Sequence, residues 1–207
     1  MSQSHPEDSK CPFLNKNQKN PILNPRNMMP EISQERPEGQ KNELSTVREP
    51  STIPMTASES TWTYPSPQQF YNALLRRNKT AEEDMMDDVV HVHNGVNEES
   101  WKQVLEWEAM HASECATPSL QRFVGKSEEP SLKARWNEFF GIGGVLFDRH
   151  DWFVDRCGKQ SVRYIIDYYD TADLPGSDPR GINVRIDTRP ALDTVGAVWD
   201  RIKMALR

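Results

Sequence analysis

Residues 80–115 read TAEEDMMDDVVHVHNGVNEESWKQVLEWEAMHASEC, and the architecture turns on this run. Thr80 and Glu83 stand in capping-box spacing, and Met86, Val89, Val90 and His93 follow three or four residues apart. The first half is therefore expected to be an amphipathic helix whose apolar face ends in an imidazole. Asn94-Gly95 is a helix stop signal. A second helix is expected to restart at Asn97, with Glu98 and Glu99 in its first turn, where carboxylates favour the positive helix end. At about 100° per residue, Trp101, Val104, Leu105, Trp107, Glu108, His111 and Ala112 share one side. The prediction is two helices meeting at an elbow that carries His93, with His111 on the aromatic face of the second.

An imidazole on such a face has two readings. Most often it is a hydrogen-bonded core residue; the same pattern also makes a wall for a flat apolar ligand or a metal centre. Zinc fits poorly, because His91 and His93 sit two apart and point in different directions on a helix, and no CxxC or HExxH accompanies them. One neutral imidazole is enough for an axial position on haem iron.

Outward from this run, residues 62–77 read as an aromatic entry and then a helix, with Ser66 as N-cap, Pro67 at the first helical position and Phe70, Tyr71, Leu74 and Leu75 as its apolar stripe. Trp62 and Tyr64 either line a ligand edge or staple the preceding segment to the core. Residues 1–61 are rich in Pro, Asn, Ser, Glu and Lys with scattered apolar residues, so they are expected to be a largely disordered tail. On the other side, Gly141-Ile142-Gly143-Gly144 has no helix pattern after it and reads as a turn, not a phosphate loop. Residues 162–169 and 182–187 alternate with period two and predict an antiparallel pair. Pro190 is expected to open a last helix with Leu192, Val195, Trp199, Ile202 and Leu206 packed on the sheet. The fold class is thus α+β: helices around a pocket with a small antiparallel sheet, one domain over 62–207 and a tail over 1–61.

A net charge of −6 argues against a nucleic-acid surface, and no apolar run is long enough to span a bilayer, so membrane contact is expected to be peripheral. The first residues, with Glu7 and Asp8, show neither an apolar signal core nor an Arg-rich amphipathic presequence. Three cysteines cannot form a fully paired framework, and their spacing is not that of a zinc site. Cys11-Pro12 is the one chemical feature of the tail: a Cys-Pro pair is most often incidental, and its thiolate is also a haem-iron ligand type. His150, between Arg149 and Asp151, is either a structural hydrogen-bond node or a second functional imidazole.

The pairs HN at 93, NE at 97, WK at 101, WE at 107, MHA at 110 and EC at 114 resemble the mitochondrial cytochrome c-type haem lyases, also called holocytochrome c synthases. The resemblance continues through LSTVRE at 44, IP at 53, Trp62, YPS at 64, FDRHDW at 147, RCG at 156, RYIIDYYD at 163, RPALD at 189 and AVWDR at 197, and so covers the chain from about Leu44 onward. It implies a lyase that joins haem to apocytochrome c, and to cytochrome c1 in some members, by thioethers between the haem vinyl groups and the substrate's Cys-x-x-Cys-His cysteines. The alternative is a haem chaperone or sensor that makes no thioether. It further implies ferrous haem b as substrate, and a place on the intermembrane-space face of the mitochondrial inner membrane. On that reading His93 is the catalytic residue and axial iron ligand, with the substrate's own His on the other face. Trp62, Trp101 and Trp107 are candidate walls; His111 and His150 are further candidate haem contacts. Arg149 and Arg163 are candidate propionate anchors, since Arg binds carboxylates bidentately. Cys11 is a candidate second iron ligand, weakened by the single Cys-Pro pair where several relatives carry two or more.

Overall fold

The computed structural model describes residues 31–207 apart from Ala81, Pro179 and Arg180. Cys11 and the Asn24-Pro25 segment lie outside the described residues.

The centre is a single helix, one rod where two helices meeting at an elbow were expected. In chain order the elements are β1 (Pro50–Pro54), β2 (Thr61–Thr63), α1 (Pro67–Arg76), α2 (Met86–Glu108), β3 (Ser119–Gly125), α3 (Leu132–Phe140), β4 (Val145–Asp155), β5 (Ser161–Asp170), β6 (Val184–Pro190) and α4 (Val195–Ala205). The expected stop at Asn94-Gly95 is overridden, and α2 runs through it. Tertiary partners take the groups that would have capped two helix ends. Asn94 Nδ2 donates to Glu49 Oε2 at 3.0 Å, and Asn97 Nδ2 donates back to the His93 carbonyl at 2.7 Å. Both asparagines are buried, so their amides hold the helix in place instead of ending it. Nor does the Thr80–Glu83 capping box form. Glu83 begins a 3-10 turn (Glu83–Met85), and its carboxylate accepts the backbone N–H groups of Lys41 at 2.9 Å and Asn42 at 2.6 Å.

Those two bonds belong to a wider correction. The expected tail is structured from residue 31. Asn72 on α1 donates to the Ser33 and Glu35 carbonyls, Gln40 and Gln68 bond one another, and Ile53 of β1 lies in the main core. These are irregular segments whose polar groups are satisfied one by one on α1 and α2, which leaves no periodic signal in sequence. The α1 reading holds in detail, with Ser66 and Gln69 in a reciprocal capping box and Pro67 at the start.

Strands β3-β4-β5-β6 form an antiparallel sheet in that order, and β1 pairs with β2 apart from it. Period two on β5 sends Val162, Tyr164, Ile166 and Tyr168 to one face, where they meet Trp101 and Val104 of α2, Trp152 and Val154 of β4, Leu120 and Trp62. At ~1.5–3 kcal/mol for each large apolar side chain buried, this cluster dominates the stability of the domain. The opposite face is polar and held by α3: Ser131 donates to Asp167, and Asn137 to the Tyr169 hydroxyl. Ser131 also caps α3, and Gly141, at φ 64°, ends it in the left-handed region that a side chain would strain. Pro190 does not open the last helix. It ends β6, and α4 begins five residues on at Val195, with the Thr194 side chain accepting from the Ala197 N–H.

Two of the three cysteines pair after all. Cys115, just beyond α2, is disulfide-bonded to Cys157 in the β4–β5 turn, across 42 positions of sequence. The bond ties the C-terminal end of α2 to the sheet it packs on.

Candidate functional site

His93 faces a cleft whose lining comes from five parts of the chain: Ile53 on β1, Trp62, Tyr64 and Pro65 at β2, His93 and Asn97 on α2, Phe123 on β3, and His150 and Trp152 on β4. Spacing explains the last pair. Asp148, His150 and Trp152 are alternate residues, so they share the face of β4 that looks toward α2.

The His93 ring is clamped edge-on by Phe70, with ring centroids 5.0 Å apart, and by Tyr64 at 6.4 Å. The Asn97 amide nitrogen lies 3.3 Å from its Nδ1 and 3.2 Å from its Nε2. Burial, reinforced by the nearby His150, pushes the imidazole down to about 4. A ring held neutral near pH 7 keeps a nitrogen lone pair for a metal. His150 is differently placed. Its Nε2 pairs with Asp148 Oδ2 at 3.1 Å, its ring packs against Tyr168 at 5.3 Å, and its buried Nδ1 has no partner among the described residues. Burial works to raise the Asp148 carboxyl, but the bond and charge of His150, the Arg149 N–H and the charge of Arg77 together outweigh it, and the group sits below the usual carboxylate range.

The shift at His93 makes a prediction for the haem-free protein. An imidazole in the unfolded chain titrates near ~6.5. Between there and about 4 the unfolded chain takes up a proton that the folded one refuses. Stability from this group is therefore complete above pH ~6.5 and declines as the pH falls through that window. Thermal melts from neutral pH down to pH ~4 should show a steeper loss for the wild type than for His93→Gln. Parallel curves would contradict the burial of this imidazole.

Of the residues singled out from sequence, the structure brings His93, Trp62 and His150 together. Trp62 is fixed by an Nε1 bond to the Leu120 carbonyl at 3.0 Å. Trp101 stands behind the cleft in the core, its ring 6.5 Å from that of Trp152. Trp107 donates to the Thr188 carbonyl on β6. His111, in the turn after α2, bonds Asp200 of α4 at 2.9 Å. The two arginines are occupied: Arg149 is buried against Asp151 and the Glu129 carbonyl, and Arg163 bridges Asp151 and Asp193 at 2.7 Å each. Sequence reasoning missed Asn97, Phe123, Asp148 and Trp152. For Asp148 and Trp152 the signal was present, as the period-two partners of His150. For Asn97 it was misread as a cap.

Among the described residues, no group of three or more metal-ligating side chains is gathered. The cleft instead offers single imidazoles among aromatic rings, the donor type that haem iron takes axially.

The family described as cytochrome c/c1 heme lyase matches residues 2–205. The holocytochrome c-type synthase of Gallus gallus is 46% identical, over 94% of this chain and 72% of its own length. That of Homo sapiens is 47% identical over 88% and 69%, and the holocytochrome-c synthase of Saccharomyces cerevisiae is 37% identical over 97% and 81%. No solved structure matches the chain. A match along nearly the whole sequence, with relatives 46% and 47% identical over most of it, places the chain in the cytochrome c/c1 haem lyase family.

Proposed function

We propose that this lyase holds ferrous haem b by the His93 imidazole and presents its vinyl edges to the cysteines of the Cys-x-x-Cys-His segment of apocytochrome c. The carrying observation is a desolvated, neutral imidazole converging with His150 in an aromatic cleft. The substrate's His takes the other face of the iron, which sets both thiols beside the vinyl groups by proximity. Each thiol then adds across a vinyl double bond, sulfur to one carbon and hydrogen to the other, with nothing released. No enzyme nucleophile is required. Cytochrome c1 offers the same segment chemistry and is a second substrate on this reading.

The cleft encloses about 60 Å³, against ~300–1,000 Å³ for typical ligand pockets. Haem entry therefore requires the segment at 62–65 to move off His93. That movement would break the Trp62 indole bond to Leu120, the Tyr64 hydroxyl bond to Glu98 at 2.8 Å, the Tyr64 N–H bond to the Glu49 carbonyl at 2.9 Å and the bonds from Arg48 to the Thr63 and Tyr64 carbonyls. We place the protein in mitochondria, on the intermembrane-space face of the inner membrane and attached peripherally. The Cys115–Cys157 disulfide supports a compartment where such bonds persist, and no described helix is long and apolar enough to cross a membrane.

Co-expression with apocytochrome c tests the reaction. A lyase leaves haem on the cytochrome that survives acid-acetone extraction. Haem that extracts completely would indicate the chaperone or sensor instead.

A further inference from the structure

The stripe expected to pack α4 on the sheet points the other way. Val195, Val198, Trp199, Ile202 and Leu206 fall within about 100° of one another around the helix axis, and all five are exposed, Val195 at 87% and Leu206 at 82%. Ala197 and Asp200 make the buried side. Helix α3 repeats the arrangement, with Leu132, Trp136 and Phe139 exposed opposite buried Ala134 and Asn137. Both helices flank one end of β6: the Ser131 hydroxyl before α3 accepts from Arg189 at 2.7 Å, and Arg201 of α4 donates to the next carbonyl, Pro190, at 2.8 Å. An exposed apolar stripe on each of two helices is more than a monomer ordinarily leaves in water.

Charge selects the occupant. The chain as a whole is acidic, at −6. Yet the one carboxylate on α4, Asp200, is buried against His111, while Lys203 and the following Arg207 stand exposed beside the stripe. A tryptophan-bearing apolar stripe edged only by cations on its exposed side is the pattern of a helix lying in a membrane interface. We propose that α4 lies flat in the headgroup region of an anionic phospholipid bilayer. The inference rests on the peripheral membrane attachment given above and adds the surface that makes it.

Vesicle flotation of the full chain tests this. The wild type should float with vesicles containing about 30% phosphatidylserine, less so as salt rises, and weakly with phosphatidylcholine alone. Trp199→Glu combined with Ile202→Glu should weaken binding to the anionic vesicles by about tenfold or more, with an unchanged melting temperature. Equal flotation of that variant would overturn the assignment to α4. A wild type that floats with neither vesicle would overturn membrane attachment itself. A wild type that sediments as a dimer without lipid, split by the same substitutions, would give the surface to a second copy and overturn the proposal. Haem attachment to apocytochrome c in a vesicle-free assay reports separately on the lyase reading, and the variant should retain it.

Discussion

His93→Ala is expected to lower thioether formation by about a hundredfold or more while the protein stays folded, an effect of the size that loss of a positioning contact produces. The two halves of that expectation have one cause. The ring sits where burial opposes its charge, so removing it relieves a desolvation cost as well as deleting packing against Phe70 and Tyr64. A large loss of activity with a small change in stability is the signature of a ligand, not of a core residue. The measurements are the yield of acid-stable haem on apocytochrome c, the Soret absorption of the purified variant with haem, and a denaturation curve. An unchanged Soret band with retained yield would move the ligand elsewhere, and His150 is then the alternative in the same cleft. His111, engaged by Asp200, is not.

The second large effect is structural, and it lies at the far end of the same helix. Glu108 is buried, and its carboxylate accepts from Arg156 Nε at 2.6 Å, from Arg156 Nη2 at 3.0 Å and from the Tyr164 hydroxyl. Burial, and then the negative charge of Glu108, drive the Tyr164 phenol well above its ordinary range. Glu108→Ala would leave a buried guanidinium and a buried hydroxyl without their acceptor, at a cost of ~3–5 kcal/mol. Domains of this kind are stable by only ~5–15 kcal/mol, so the melting temperature should fall by roughly 10 °C. Glu108→Met with Arg156→Met, which removes both charges together, should recover much of the loss. Urea denaturation of the three proteins decides it: a Glu108→Ala cost under ~1 kcal/mol would mean that solvent reaches the pair.

What could be read from sequence followed physical period. The β5–β6 pairing, the capped start of α1 and the place of His93 on an amphipathic helix came from alternation, local hydrogen-bond chemistry and helical period, all of which are written in neighbouring residues. The failures needed distant ones. Asn94-Gly95 is a good stop signal until Glu49 claims the Asn94 amide, and Asn97 is a good N-cap until it lies about three turns inside a continuous helix. Arg163 looked available because its carboxylate partner Asp193 lies 30 positions away. The α4 stripe was read correctly as a stripe and wrongly as a core, since periodicity gives a face but not what the face looks at.

Because α2 is unbroken from Met86 to Glu108, the cleft residue and the buried anchor share one screw axis. Each residue added to an α-helix turns everything on one side of it by about 100° and shifts it ~1.5 Å. A single insertion or deletion between His93 and Glu108 would leave every side chain in the family alphabet and still carry the imidazole out of the cleft, whereas a change of seven residues, close to two full turns, would nearly restore its bearing at the cost of displacing it ~10 Å along the axis. Length variation in this enzyme is therefore expected in the connections on either side of the helix, and point substitution, not insertion, is the route by which its haem-facing surface can diversify.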